Sequence, residues 1–438
     1  MPLAILTRFL RSKRFNRALQ YQTKWLHPDP KEVCGLQLEK LNCVWRDAVS
    51  NMPYYQRLVS KKEAPSHFNS LADFFKNVPI LTKEKIAASP DLFRRPDEKP
   101  DRIAMTAGST GNPLHFGLYK READFSSSDL FVGRIANGME MGDRIFLLWG
   151  HSHLLGTGWK GKYKHLLRKT SDWALSYKRM DAYHLDRQTA RSYMKKLLDF
   201  NPQICIGYAS ALDLFVRHNE DFRQQVKGLG LKFVVATSEV MPRPDSHKII
   251  EDFFNCPLVM EYGGVEFGAV AHNRPYEPYR VYWWNCLAET LDEAGTAAAN
   301  STPLVVTSLY LRYVPFIRYR TGDEIRGERT VFNRSLVSFS EVCGRHNDAL
   351  ELTDGSILHS VSLFHCIHQE SDVYNIQLIV DPAGLHILLV ANNKDPQMIS
   401  RIRRRLRDLS PLLENCEIKI VPDLVTNRAG KRRWIVYS

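Results

Sequence analysis

The sequence predicts an α/β protein with a large N-terminal domain, built on a parallel α/β sheet with a small barrel-like β part, and a smaller α+β C-terminal domain. Three observations predict it. From about residue 100, short apolar runs alternate with helical patterns ("RIFLLWG", "ARSYMKKLLDF", "QICIGY", "ALDLFVRHN", "KFVVATS", "HKIIEDFF", "PLVMEYGG"). Strand-helix-strand alternation gives parallel strands that place ligands at their carboxyl ends. After "LAETLDEAG" the text becomes strand-rich ("TPLVVTSLYL", "FIRYRTGD", "VFNRSLVSFSEVCGR"), as hairpins or a small barrel require. At "CGRHNDAL" the strand signals stop at a glycine followed by charge, and a smaller pattern ("NIQLIV", "LHILLV", "ISRIRRRLRDL", "CEIKIV") begins. Domains over 1–343 and 344–438 follow, and 438 residues exceed what a single core usually serves.

Taken in order, residues 1–80 read as mostly helical. They end at "NVPILTKEKI", where Pro79 stops one element and Thr82 with Glu84 starts another. The opening stretch "MPLAILTRFLRSKRFNRALQ" is basic, and its apolar run from Pro2 to Leu6 is too short for a signal-peptide core. Leu3, Leu6 and Leu10 beside Arg8, Arg11, Lys13 and Arg14 describe an amphipathic basic helix. Two readings are open for it: packing on its own domain with a solvated basic face, or peripheral contact with an anionic membrane.

Composition excludes several classes. With 44% hydrophobic and 25% charged residues the chain is neither disordered nor fibrous, and no run has the length of a membrane span. Eight scattered cysteines with no CxxC signal neither zinc nor a disulfide framework, which suits a reducing cytoplasm. A net charge of +12 favours anionic partners such as nucleotides, coenzymes or acidic lipid. Basic runs lie at 159–179 and in "RIRRRLRDL", but no nucleic-acid-binding motif accompanies them, so nucleic acid is not an expected partner.

The stretch "TAGSTGNP", 106–113, has the small and hydroxyl-bearing residues of a phosphate cradle, yet its spacing fits neither the Walker loop nor the GxGxxG fingerprint. Alone it is a turn. It has company, however: "EYGGVE" (261–266), "YRTGD" (319–323), "GRHND" (344–348) and "NRAGKRR" (427–433) follow in order. This series resembles the adenylate-forming superfamily, which includes acyl-CoA synthetases and nonribosomal adenylation domains. "SNMPYYQRLV", "VPILTKEKI" and "ATSEVMP" are most similar to its phenylacetate–CoA ligase-like branch, which includes proteins of capsule polysaccharide biosynthesis loci. The resemblance covers nearly the whole chain.

The resemblance implies an ATP site, with Mg²⁺, and a mobile C-terminal domain. Thr106, Ser109, Thr110 and Gly111 match the phosphate loop, where hydroxyls and bare N–H groups hold phosphates. Tyr262 matches the residue that stacks on adenine, and Glu266 the carboxylate that holds Mg²⁺, a hard cation that takes oxygen ligands. Asp323 matches the acceptor of both ribose hydroxyls, Arg345 an arginine at the ribose and phosphate, and Asn347 the interdomain hinge. Lys431 matches the lysine that stabilises charge in the adenylation step, an effect worth about 3 kcal/mol in comparable preorganised sites. Trp149, His151, His153 and Gly264 fall where the family places its acid substrate, and the aromatic and polar character of the first three fits a medium-sized or functionalised acid. The implied reaction joins a carboxylic acid to a thiol, coenzyme A by default, or to an amine on a sugar or amino acid.

Four positions depart from the family pattern. Asn112 stands where a lysine is usual, Val265 where Thr or Ser bonds the α-phosphate, and Val425 with Asn427 where Pro and Thr are usual. Slower adenylation is the expected cost, and a noncatalytic nucleotide-binding or membrane-surface protein is the rival reading.

Overall fold

A computed structural model describes residues 2–105, 114–149, 158–182, 185, 187–241, 245–291, 301–344, 349–351, 357–359, 363, 366–367, 370, 372–391, 395–422, 424 and 435–437. The N-terminal region is helical as expected: α1 (Pro2–Leu26), α2 (Pro30–Asn51), α3 (Pro53–Ser60), α4 (Leu71–Asn77) and α5 (Lys83–Ala88). Local chemistry sets their starts. Asp29 and Ser70 accept hydrogen bonds from the backbone of Glu32 and Asp73, and Thr82 caps α5 through Lys85 N–H at 3.3 Å.

A hairpin follows, β1 (Arg102–Met105) with β2 (His115–Leu118), then α6 (Glu122–Ala136). The parallel unit alternates β3 (Ile145–Leu148), α7 (Gly158–Ala174), β4 (Tyr177–Met180), α8 (Arg187–Phe200), β5 (Ile204–Tyr208), α9 (Ala209–His218), α10 (Arg223–Lys227), β6 (Phe233–Thr237), α11 (Ser246–Phe254) and β7 (Leu258–Gly264). Its strands lie in the order β4-β3-β5-β6-β7, all parallel. Their apolar runs are continuous because both faces are covered. Phe146, Leu148, Cys205, Val234 and Ala236 point into one core beneath α8, α9 and α11, while Ile145, Leu147, Ile204, Ile206 and Val235 point into a second beneath α1 and α6. Full burial of each Phe, Leu, Ile or Val among them stabilises by about 1.5–3 kcal/mol.

From β7 the sheet continues antiparallel through β8 (Gly268–His272) and β9 (Tyr279–Val281) into β13 (Ser335–Gly344), β12 (Tyr319–Phe332), β11 (Thr302–Ser308) and β10 (Cys286–Thr290). Ala288 of β10 also pairs with Leu336 of β13, which closes these four strands into a small ring. The barrel-like part expected from the sequence is therefore no separate sheet but one end of a single eleven-stranded one. The joint is made where β7 folds back onto β8 through the "GGVEFG" turn.

Beyond Gly344, β14 (Ala349–Glu351) pairs with β15 (Ile357–His359), and a four-stranded sheet is built from β16 (Val373–Asp381), β17 (Gly384–Ala391), β18 (Glu417–Ile420) and β19 (Ile435–Tyr437). Helix α12 (Pro396–Leu409) packs Met398, Ile402, Leu406 and Leu409 against that sheet, in a core of its own. The α+β pattern expected after residue 344 is present in these elements.

The basic N-terminal helix corrects one expectation. Its buried face carries Thr7, Arg11, Phe15, Ala18 and Trp25, while Leu6 and Leu10 are exposed. Arg11 is no solvated charge: its guanidinium donates to the carbonyls of Met141, Asp143 and Leu175, and burial lowers its pKa. Three fixed carbonyls accept from the two terminal nitrogens of this buried guanidinium, which a count of polar residues along the helix does not reveal.

Candidate active site

The carboxyl ends of the parallel strands gather Trp149 after β3, Tyr208 at the end of β5, Glu239 after β6 and Tyr262 near the end of β7. In an open α/β sheet this edge is where ligands bind. Tyr262 is half-buried, its ring 6.3 Å from Phe267 and 6.4 Å from Phe339. Its hydroxyl donates to Asp323 Oδ2 at 2.7 Å, joining two residues 61 positions apart.

Asp323 is held from several sides. Its backbone N–H donates to Thr321 Oγ1 at 3.1 Å, and Gly322 supplies a φ of +88° just before it. Upstream, Arg318 takes a φ of +48°, a left-handed value that is uncommon for a residue other than glycine. It is fixed there by a buried ion pair with Glu289 at 2.7 Å and by donation to the carbonyls of Phe75 and Val78. Leu81 of the "VPILTKEKI" stretch bonds the backbone on both sides, accepting from Arg320 and donating to Arg318, each at 2.8 Å. A helical-region motif thus braces the strand that carries the carboxylate.

The "EYGGVEFG" turn has little room. A Cβ on Gly263 would lie 2.6 Å from the carbonyl oxygen of Gly268, and one on Gly264 would meet the Phe267 ring at 2.6 Å. Gly264, expected to touch substrate, is thus also required for close packing. Glu266 is 6% exposed and Val265 51% exposed. The Val265 carbonyl accepts from Arg312 Nη2 at 3.3 Å, and Arg312 forms a buried ion pair with Glu122 at 2.9 Å. Glu122 in turn accepts from the backbone N–H groups of Tyr119 and Tyr313.

Trp149 is half-buried, its ring 4.9 Å from Tyr208, and its backbone N–H donates to the Met180 carbonyl at 2.9 Å. It stands three strands from β7 in the sheet, about 14 Å at ordinary strand spacing. Between them, Glu239 of "ATSEVMP" accepts from Ser210 N and Oγ at the start of α9. Thr106, Ser109, Thr110, Gly111, His151, His153, Arg345, Asn347 and Lys431 lie outside the described residues.

Sequence reasoning passed over the support beneath Tyr262. Glu261 accepts two hydrogen bonds from Arg134, at 2.6 and 2.9 Å, and lies 3.5 Å from His272 Nε2. Burial pushes its carboxyl up, but the Arg134 charge and the bonds from His272 and Arg134 outweigh this and hold it at about 2. The available signal was a charge interrupting the apolar run "PLVMEY". Arg312 and Glu122 had no comparable signal.

The chain has relatives in sequence and in fold. No family model matches the chain. It is 22% identical over 417 residues to Protein CapK of Staphylococcus aureus, covering 92% of this chain and 89% of that one. It is 25% identical over 347 residues to a phenylacetate-coenzyme A ligase of Aromatoleum evansii, covering 76% and 73%. Its fold matches crystal structures of a 2-hydroxyisobutyryl-CoA ligase. One, in complex with 2-HIB-AMP and CoA in the thioesterification state, has a TM-score of 0.60 at 17% identity, covering 94% of this chain and 90% of that one. Another, an open conformation with the same two ligands, has a TM-score of 0.54 at 17% identity, covering 91% and 90%.

Proposed function

We propose that this chain, an adenylate-forming ligase of the phenylacetate–CoA ligase-like branch, activates a carboxylic acid with ATP and passes the acyl group to coenzyme A. A carboxylate oxygen of the acid attacks the α-phosphorus of ATP, the bond to the bridging oxygen breaks, and pyrophosphate leaves. The thiol sulfur then attacks the acyl carbon and AMP leaves. The observation that carries the reading is the hydrogen bond from Tyr262 to Asp323 at the carboxyl edge of the sheet.

In this reading Asp323 accepts from the ribose hydroxyls through lone pairs that the Tyr262 bond leaves open, and the Tyr262 ring lies against adenine. Glu266, a buried carboxylate offering oxygen donors, fits a magnesium ion, which when bound would offset phosphate charge. Lys431 stabilises the charge of the attacking carboxylate and α-phosphate, while Thr106, Ser109, Thr110, Gly111 and Arg345 hold the phosphates and ribose. Trp149, His151, His153 and Gly264 line the acid pocket. The 344–438 region turns about Asn347 between the half-reactions, in the cytoplasm.

An amine acceptor is the second reading. It draws on the resemblance to proteins of capsule polysaccharide biosynthesis loci, and the acyl group would then form an amide on a sugar or amino acid. The test is pyrophosphate release from ATP with a panel of aryl, short acyl, amino and sugar acids, for wild type, Asp323→Ala and Lys431→Ala. Release that needs one class of acid and falls roughly 100-fold in Lys431→Ala supports adenylation. ATP binding without release from any acid would support the noncatalytic reading instead. Product formation with coenzyme A or with an amine then assigns the acceptor.

A further inference from the structure

Helix α7 is amphipathic, but its apolar side faces outward. Tyr163, Leu166, Leu167 and Trp173 are 50–60% exposed, and their spacing puts them on one stripe of the helix. The opposite side holds the helix to the domain. Asp172 forms a two-pronged pair with Arg179 of β4 at 2.9 Å, and Thr7 of α1 donates to the carbonyl of Ala174 at 2.9 Å. That second bond fixes the N-terminal turns of α1 beside the end of α7, and these turns expose Ile5 and Phe9, 62% and 76%.

Exposed Lys162, Lys164 and Lys169 flank the stripe, and among the described residues none has a carboxylate partner. We propose that the outward face of α7, with the exposed turns of α1, is a docking surface for an anionic lipid bilayer. Leucine and aromatic side chains enter the acyl boundary while lysines meet the headgroups, the arrangement of interfacial helices. Charge chooses this occupant. A second copy seated on the same face would set the two lysine rows against each other, and a nucleic acid would leave Leu166 and Leu167 against phosphates. Docking is peripheral, since no helix among the described residues is long and apolar enough to cross a membrane. The surface uses neither Tyr262 nor Asp323 and stands independently of the adenylation reading.

The test is co-sedimentation of the full chain with vesicles of phosphatidylcholine alone or mixed with phosphatidylglycerol. Wild type sediments with the mixed vesicles, less so as salt rises, and hardly with phosphatidylcholine alone. Replacing Lys162, Lys164 and Lys169 by alanine weakens binding about fivefold per lysine. Leu166→Glu with Leu167→Glu abolishes it while leaving the thermal unfolding midpoint unchanged, because both side chains are exposed. Absence of sedimentation, or equal sedimentation with both vesicle types, overturns the proposal. So does a wild-type dimer in solution that the leucine variant dissociates, or binding to duplex DNA that exceeds binding to the anionic vesicles.

Discussion

Arg134 on α6 grips Glu261 on β7 through two hydrogen bonds, one residue before Tyr262. The pair is buried, with side-chain exposures of 12% and 3%. Breaking one partner leaves the other charge uncompensated, so Arg134→Met is expected to destabilise by roughly 3–5 kcal/mol. Urea unfolding at neutral pH measures this, and a loss below about 1 kcal/mol would contradict the burial argument. The acid limb has a fixed sign. The folded carboxyl titrates at about 2, below its ordinary 4.5, so its contribution is complete above pH 4.5 and is lost as pH falls toward 2.

Asp129 makes the opposite prediction. Burial pushes its carboxyl up to about 7, even though Asn285 and Trp284 donate to it and Arg17 and Lys40 lie nearby. A folded value above the ordinary 3.8 means the folded state binds the extra proton between pH 4 and 7, so this residue's contribution declines as pH rises through that window. The stability difference between wild type and Asp129→Asn should therefore move in the variant's favour from about pH 4 to 7 and then level off. Unfolding curves at several pH values that show a constant difference would refute it.

Tyr262 and Asp323 separate by the size of their effects on nucleotide binding. Tyr262→Phe keeps the ring and removes the donor that orients Asp323 but no contact to the nucleotide, so KM for ATP should rise at most about fivefold, the worth of one ordinary hydrogen bond. Asp323→Ala removes the proposed acceptor for the ribose hydroxyls and should raise it roughly 10- to 150-fold. ATP dependence of pyrophosphate release reads both. An unchanged KM in Asp323→Ala would remove the ribose role.

Two glycines should respond in opposite directions to alanine. Gly263→Ala forces a backbone contact in the β7–β8 turn and should cost about 1–3 kcal/mol. Gly35, exposed within α2 with open space around it, should gain roughly 0.5–1 kcal/mol on the same change. Thermal unfolding of the two variants is sufficient, and a shift of the same sign in both would contradict the steric reading.

By itself the sequence determined the alternating parallel unit, the helical N-terminal region and the Thr82 cap, because periodicity and capping act within a few residues. Its motifs "EYGGVE" and "YRTGD" also pointed to Tyr262, Glu266 and Asp323, through their resemblance to motifs of the adenylate-forming superfamily. Tertiary structure decided what those local rules leave open. Arg134 and Glu261 lie 127 positions apart, the Glu122–Arg312 pair holds the Val265 carbonyl, and the barrel-like strands fuse into the main sheet through one glycine turn. It also decided that Arg11 turns inward and that the apolar side of α7 turns outward. Periodicity tells which side of a helix is apolar. What covers that side, and which distant charge meets a buried one, is settled only when the elements pack.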